Sequence, residues 1–311
     1  MTLDATRAVV IVSGGAALSP FTTPDAIANQ GMAAGSTDTY VRQGLLDAGF
    51  TVFTSPASMG GGPALEDTGF SGFSDPAITV PAELTVNCVG PIDDAGQRLA
   101  NFLEYVNETF GITTFDLIGH SMGGLFSRAS IHELTRRNSS LTVGSLATIG
   151  TPWQGSFAGD YSSGDVSIEL ADGDAVSEEI LRQAKALFDE ASEGAGEQVT
   201  YEFLNGTNGW NQRQIGMLDD IDVLLIGGDY LKRASGDPRM WPHDGLVSLS
   251  SALAQDVSPA VLPRRQEATF DGVHSIYFAD ALDLAWDKGL TWDPAVLERL
   301  VGHLSTAQAR G

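Results

Sequence analysis

The chain has 311 residues and 42% of them are hydrophobic, so it can build a sizeable core and is not globally disordered. Its formal net charge is −23, with 17 lysine and arginine residues against 40 aspartate and glutamate residues. Phosphate binding needs a cationic face, so we expect neither nucleic acid nor an anionic membrane surface as a partner. No apolar run approaches the ~18–20 residues that span a bilayer, so integral membrane insertion is not expected either.

The cysteine content and the N-terminus bear on the compartment. Cys88 is the single cysteine, so no disulfide can form within the chain, which argues weakly for a reducing compartment. The opening MTLDATRAVVIVSGG has a short apolar stretch and no small-residue cleavage site, unlike a signal peptide. We expect a cytoplasmic protein, or a secreted one from which a signal peptide has been removed. The oligomeric state stays open.

Strand-like and helix-like patterns alternate through the first half of the chain. Strands are predicted at 7–15, where the pattern ends in glycines, and at 51–56, 113–119 and 143–152. Helices are predicted at 39–50, 93–111 and 121–137. The helix at 93–111 has an apolar stripe at helical spacing, formed by Leu99, Phe102, Leu103 and Val106. Residues 55–90 are rich in Gly, Pro and Ser and predict a long surface excursion.

The alternation breaks at about Trp153. Residues 153–219 hold helical stretches, notably 177–191, and no clear strand. We interpret them as a helical cap or lid insertion, although a packed extension fits equally well. Strands are predicted again at 222–228 and 265–270, and a closing helix at 293–307. This organisation predicts an α/β fold with a mostly parallel sheet flanked by helices, in which 1–152 and 220–311 form the two parts of the core.

A serine motif occurs where one strand pattern gives way to a helix pattern. Residues 119–123 read GHSMG and match G-x-S-x-G, with Gly119 and Gly123 placed where strand and helix must approach closely. The helix N-terminus would point backbone N–H groups toward Ser121. The pattern therefore predicts that Ser121 is a nucleophile on a tight turn. The alternative is a structural glycine turn with an incidental serine.

A serine hydroxyl needs a base to become a useful nucleophile, and the chain has five histidines. His274 follows a strand pattern in a loop near the C-terminus, where the base falls in the order Ser, acid, His, and it is the predicted base. His120 stands beside the nucleophile and should point away from the reacting atom. His132 and His243 are interpreted as surface or structural residues, and His303 as a solvated residue of the last helix.

The acid that orients the base should follow the strand at 222–228. Three aspartates are available there, namely Asp229, Asp237 and Asp244. Asp244 is favoured, because Gly and apolar residues follow it and would return the chain to the core, which holds the carboxylate in a fixed loop. Asp229 lies closer to the strand end and is the second choice.

With these residues in view, the chain resembles α/β hydrolases of the bacterial lipase type. The resemblance rests on the segments DLIGHSMGG, TIGTPWQGS, HDGLVSLSS and GVHS, which are spread over most of the chain. It implies a mostly parallel sheet with the triad at the carboxyl ends of the strands. In such lipases the aspartate of a D-G-L/V-V segment is the triad acid, and the matching residue here is Asp244.

The chain departs from these lipases at two places. Many of them carry His-Gly after the first long strand, where this chain reads Ser13-Gly14-Gly15. An oxyanion hole needs backbone N–H donors, and we expect these to be Met122 and Gly15, with Ala16 replacing Gly15 after a one-residue shift. Some secreted relatives hold calcium with an aspartate two residues past the histidine. That position is Ile276 here, so no metal is expected, and no cofactor is predicted.

The expected activity is hydrolysis of neutral, hydrophobic carboxylic esters through an acyl-enzyme, as in a lipase or carboxylesterase. The partner would be a small-molecule or lipid ester. Phe21, Trp153 and Trp210 are candidates to line an apolar substrate pocket with Met122, although each could equally be a core residue. The insertion could be a mobile lid or a fixed wall. An acyltransferase or thioesterase with the same triad, or a ligand-binding homologue without catalysis, remains possible.

Overall fold

Six parallel strands form one sheet at the centre of the molecule. The computed structural model describes residues 5–24, 37–63, 80–191 and 194–310. The strands within these residues are β1 (Arg7–Val12), β2 (Val52–Thr54), β3 (Ala57–Ser58), β4 (Val86–Asn87), β5 (Thr114–His120), β6 (Thr142–Ile149), β7 (Asp222–Gly228) and β8 (Arg265–Phe270). The sheet has the order β2-β1-β5-β6-β7-β8, and each neighbouring pair in it is parallel. The carboxyl ends of these strands therefore meet at one edge, where loops can collect functional side chains.

Helices cover both faces of the sheet. They are α1 (Thr39–Asp47), α2 (Ile92–Phe110), α3 (Gly123–Arg136), α4 (Phe157–Ser163), α5 (Ala175–Ala191), α6 (Ala195–Gln198), α7 (Tyr201–Asn205), α8 (Leu249–Ala252), α9 (Ile276–Ala281) and α10 (Pro294–Gln308). The predicted helices at 39–50, 93–111, 121–137, 177–191 and 293–307 correspond to α1, α2, α3, α5 and α10. None of the helices in the described ranges is both long enough and apolar enough to cross a bilayer.

The core lies in two layers because successive strand residues point to opposite faces. In β1, Val10 and Val12 belong to one apolar cluster, while Val9 and Ile11 belong to the other. The first cluster includes the predicted stripe of α2 together with Leu125 and Phe126 of α3. The second cluster includes apolar residues of α1 and α10. The parallel sheet flanked by helices that the sequence predicts is confirmed.

Residues 153–219 lie between β6 and β7 and add no strand to the described sheet. They contain α4, α5, α6, α7 and two 3₁₀ turns. A third apolar cluster joins Phe157 of α4 and Leu181 of α5 to Met240 and Trp241, which follow β7 in the chain. The segment is thus packed against the C-terminal part of the core.

Two expectations about exposure are wrong. Residues 55–90 were expected at the surface, but β3 and β4 pair as a small parallel sheet and are buried. Strands of two residues are too short to show a period of two in a sequence. Residues 64–79 of this segment lie outside the described residues. His303 is buried rather than solvated, because it shares the inward face of α10 with Leu300 and Leu304.

Candidate active site

Ser121 lies on the turn that joins the end of β5 to the start of α3. Its φ is +55°, a left-handed conformation that a serine adopts only at a cost. Its N–H donates to the carbonyl of Ile149 on the neighbouring strand at 2.8 Å, which ties the turn to the sheet. A Cβ at Gly119 would lie 2.3 Å from the amide nitrogen of Gly124, and one at Gly123 would lie 2.1 Å from the carbonyl oxygen of Val12. Both motif glycines are therefore required by close backbone approach.

His274 and Asp244 form a buried pair at the same edge of the sheet. The Nδ1–H of His274 donates to Oδ2 of Asp244 at 2.7 Å. The other carboxylate oxygen, Oδ1, accepts the N–H groups of Leu246 at 2.9 Å and Val247 at 2.8 Å. The backbone N–H of His274 also donates to the carbonyl of Asp244 at 2.7 Å. The carboxylate is therefore held rigidly and fixes the orientation of the imidazole.

This pairing fixes the tautomer of His274. A carboxylate accepts hydrogen bonds, so Nδ1 carries the proton and Nε2 is left with a lone pair. Nε2 is buried and has no hydrogen-bond partner in the described part of the chain, so it is not bonded to Ser121 Oγ there. Ser121 and His274 nevertheless line the same cavity. Catalytic hydrogen bonds are often long in ligand-free sites and tighten when substrate binds.

Asp229, the second choice for the acid, makes a different contact. Its Oδ1 lies 3.1 Å from Nζ of Lys232, which is itself half-exposed. The structure therefore brings Asp244, and not Asp229, to the imidazole of His274.

The loop that follows β1 packs against the serine turn. A Cβ at Gly14 would lie 2.5 Å from Cβ of Ser121, and one at Gly15 would lie 3.0 Å from Sδ of Met122. Gly15, Ala16 and Met122 all line the cavity. The backbone N–H groups of Gly15 and Met122 make no hydrogen bond to any described residue. Both amides are thus free to donate to a ligand atom near Ser121.

A cavity of about 770 Å³ opens over Ser121 and His274. Its walls are mainly apolar: α5 contributes Val176, Ile180 and Ala184, and α9 contributes Tyr277 and Phe278. All 17 lysine and arginine residues of the chain fall in the described ranges, and none lines this cavity. Among the described residues, the aspartate and glutamate side chains on its wall are Asp38 and Glu179. The cavity therefore suits an apolar ligand and has no lysine or arginine to pair with an anionic ligand.

The three aromatic residues predicted to line the pocket lie elsewhere. Phe21, Trp153 and Trp210 are each at most 1% exposed and do not line the cavity. Phe21 packs edge-on against Phe102 of α2, with ring centroids 5.4 Å apart. The two tryptophans flank the buried guanidinium of Arg128, at 4.1 and 4.6 Å from its central carbon. The prediction is wrong because large apolar side chains are as common in a core as in a pocket.

Asp38 was not singled out by its sequence pattern, yet it lies on the cavity wall. Its Oδ2 accepts a hydrogen bond from Oγ of Ser13 at 2.7 Å. Burial raises the pKa of Asp38 to about 6, and the Ser13 hydroxyl acts in the opposite direction. An aspartate immediately before a helix is an ordinary N-terminal residue, so its position carried no signal of a site. Within the described residues, no group of three or more His, Cys, Asp or Glu side chains could hold a metal ion.

Comparison with known proteins agrees with this fold. A family model described as "Alpha/beta hydrolase of unknown function (DUF915)" matches residues 74–209. The mature form of the Bacillus licheniformis lipase BlEst2 is 13% identical with a TM-score of 0.52, and the match covers 91% of this chain and 92% of that chain. The propeptide form of that lipase is 15% identical with a TM-score of 0.50, covering 88% of this chain and 47% of the longer one. No curated protein matches the chain in sequence. The predicted α/β-hydrolase fold is confirmed.

Proposed function

We propose that this chain is a serine hydrolase that cleaves neutral, hydrophobic carboxylic esters. The observation that carries the proposal is a serine on a strained turn that shares one cavity with a buried imidazole–carboxylate pair. A turn of this kind costs stability, and it is kept where a hydroxyl must be presented to a substrate. The lipase similar in fold supports a reaction at an ester bond.

In the proposed mechanism, Ser121 Oγ attacks the ester carbonyl carbon while Nε2 of His274 takes the hydroxyl proton. Asp244 keeps the imidazole in the required tautomer and stabilises the imidazolium that forms. The oxyanion is held by the N–H groups of Met122 and of Gly15 or Ala16, each worth ~2.7–4 kcal/mol in the transition state. The imidazolium then gives its proton to the leaving alcohol as the C–O bond breaks. His274 then deprotonates a water molecule that attacks the acyl-serine. The imidazolium returns this proton to Ser121 Oγ as the C–O bond to the serine breaks and the carboxylic acid is released.

The charge and polarity of the cavity support a neutral substrate. A carboxylate on the substrate would find no lysine or arginine on the wall and would face Asp38 and Glu179 instead. Burying an unpaired charge is costly, so an anionic acyl or alcohol group is disfavoured. The apolar side chains of α5 and α9 favour a hydrophobic group.

We further assign 153–219 as a helical cap inserted between the two parts of the core, 1–152 and 220–311. The assignment is supported by α5, whose Val176, Ile180 and Ala184 line the same cavity as Ser121 and His274. It is also supported by the cluster that joins Phe157 and Leu181 to Trp241. A cap packed in this way can act as a wall that excludes water from the reacting centre.

The decisive experiment compares Ser121→Ala with Ser130→Ala. Ser130 is also a buried serine of the turn-and-helix region, but it does not line the cavity. We expect Ser121→Ala to lower kcat for p-nitrophenyl butyrate by about 10⁴-fold or more. It should also abolish labelling by a fluorophosphonate probe, while Ser130→Ala leaves both unchanged.

Measuring the thermal unfolding midpoint (Tm) of each variant tests whether its fold is intact. Turnover by Ser121→Ala at the wild-type rate would overturn the proposal. So would a wild-type protein that neither labels nor hydrolyses the ester.

A further inference from the structure

His120, the residue before the nucleophile, makes a buried hydrogen bond to the backbone of His274. Its Nε2 lies 2.9 Å from the carbonyl oxygen of His274, and the two imidazole rings lie 5.0 Å apart. A carbonyl oxygen only accepts, so Nε2 of His120 carries the proton. The mechanism described above gives this histidine no part.

The other side of the His120 ring faces the cavity wall at Asp38. Nδ1 of His120 lies 3.9 Å from Oδ1 of Asp38, which is too far for a hydrogen bond. Asp38 in turn accepts the hydroxyl of Ser13, on the loop that supplies the proposed oxyanion donor. His120 therefore lies between the loop after β1 and the loop that carries the base.

His120 stays uncharged in this position. Burial, with a smaller contribution from the neighbouring His274, lowers the pKa of His120 to about 3. A neutral ring can donate to the carbonyl of His274 without repelling the imidazolium that forms there during the reaction. The hydrogen bond is thus compatible with both the neutral and the protonated form of the His274 imidazole.

His274 is held at three points, and His120 supplies one of them. The backbone N–H and the Nδ1–H of His274 both donate to Asp244, each at 2.7 Å. Those two bonds orient the imidazole but tie it only to the acid loop. The third bond joins the backbone carbonyl of His274 to the side chain of His120, which is the residue immediately before Ser121. This third bond is therefore a direct link between the loop of the base and the turn of the nucleophile.

We propose that His120 is a positioning residue, which sets the distance between Ser121 and His274 by donating Nε2–H to the carbonyl of His274. The proposal rests on the proposed function of Ser121 and His274. It concerns the geometry of the reacting pair, so its loss affects the chemical step more than substrate binding. Misplacement of reacting groups by about 1 Å can cost ~10²-fold in rate.

The test compares His120→Phe with His120→Gln. Phe keeps a ring but has no donor, whereas the amide nitrogen of Gln is separated from Cβ by the same number of bonds as Nε2 of His. We expect His120→Phe to lower kcat for p-nitrophenyl butyrate by about 10- to 100-fold with KM changed by less than about 3-fold. The rate of labelling by a fluorophosphonate should fall in parallel. His120→Gln should keep kcat within about 3-fold of wild type.

His303→Phe is the matched control, since His303 is a buried histidine on α10 that does not line the cavity. The His303→Phe variant should keep the wild-type kcat even if the substitution lowers its Tm. If His120→Phe does not fold, His120→Asn replaces it, because its amide nitrogen falls one bond short of the carbonyl and the same loss of kcat is expected.

Wild-type kcat in His120→Phe, or equal losses in the Phe and Gln variants, would overturn the positioning role while leaving the proposed function standing. A wild-type protein without Ser121-dependent turnover would overturn both.

Discussion

Gly150, the residue after β6, lies close to the His274–Asp244 pair. Its φ is +57°, and a Cβ there would lie 3.0 Å from both Oδ2 of Asp244 and Nδ1 of His274. A methyl group at this distance must push one of the two partners away. We expect Gly150→Ala to lower kcat for a short-chain p-nitrophenyl ester by about 10-fold or more, because the orientation of the base is lost. Steady-state kinetics on the purified variant measure this directly.

The control for Gly150→Ala is a glycine with the same backbone strain but open surroundings. Gly111 ends α2 with φ +79°, and a Cβ there would meet nothing within 4 Å. Gly111→Ala should cost about 1–2 kcal/mol of stability and leave kcat unchanged. Equal losses of kcat in both variants would mean that strain in the backbone, rather than contact with the pair, causes the effect.

Single residues differ in how far a sequence can predict their place. Asp244 and His274 stand in loops that follow strand patterns, and parallel strands bring such loops to one edge, so their meeting could be predicted. The places of Asp38 and His120 could not be predicted, because their contacts join segments far apart in the sequence. Asp38 lies near the His120 ring, and His120 bonds to the backbone carbonyl of His274. The prediction for Trp153 and Trp210 was wrong for another reason. The two tryptophans flank the buried Arg128, and no local sequence pattern reveals that contact.

At the scale of elements, one face of α5 lines the cavity and another faces solvent. Val176, Ile180 and Ala184 face the cavity. On another face, Arg182 pairs with Glu178 at 2.7 Å and is about half-exposed. The spacing of the cavity residues follows the helical repeat, so one side of α5 forms a continuous wall of the cavity.

The wall formed by α5 predicts a change in chain-length preference. Ile180→Trp adds volume on the cavity side and should reduce the ratio of kcat/KM for p-nitrophenyl dodecanoate to that for the butyrate by about 10-fold. The long acyl chain needs the space, whereas the short one does not. Arg182→Trp, which adds the same ring on the outer face and loses an i,i+4 ion pair worth only ~0.3–0.5 kcal/mol, should keep the ratio. An unchanged ratio in Ile180→Trp would mean that the acyl chain lies away from α5.

The elements themselves were predictable where they are long and periodic. The stripe of α2 is buried as the spacing of Leu99, Phe102, Leu103 and Val106 predicts. The pairing of β3 with β4 was not predictable, because partners some thirty residues apart carry no shared pattern. The burial of His303 could have been predicted from its position in the helix. It is one residue before Leu304 and three after Leu300, on the apolar face of α10.

For the whole molecule, the excess of negative charge is the dominant electrostatic feature. Carboxylates outnumber lysine and arginine residues by 40 to 17. Ion pairs at the surface contribute at most about 1 kcal/mol each, and salt weakens them. The excess carboxylates have no cation to pair with and repel one another, which destabilises the folded state. Salt therefore has two opposite effects, and relief of repulsion should be the larger.

We expect the Tm at pH 8 to rise by several degrees as sodium chloride is increased from about 0.05 M to 1 M. Over this range the screening length falls to ~3 Å, which is shorter than the distance between most surface carboxylates. At pH 5, close to the isoelectric point of about 4.3, the same increase in salt should raise the Tm by less than half as much. Differential scanning calorimetry at both pH values measures the two slopes. A Tm that falls with salt at pH 8 would mean that the ion pairs, such as Arg137 with Glu104 and Glu133, outweigh the repulsion.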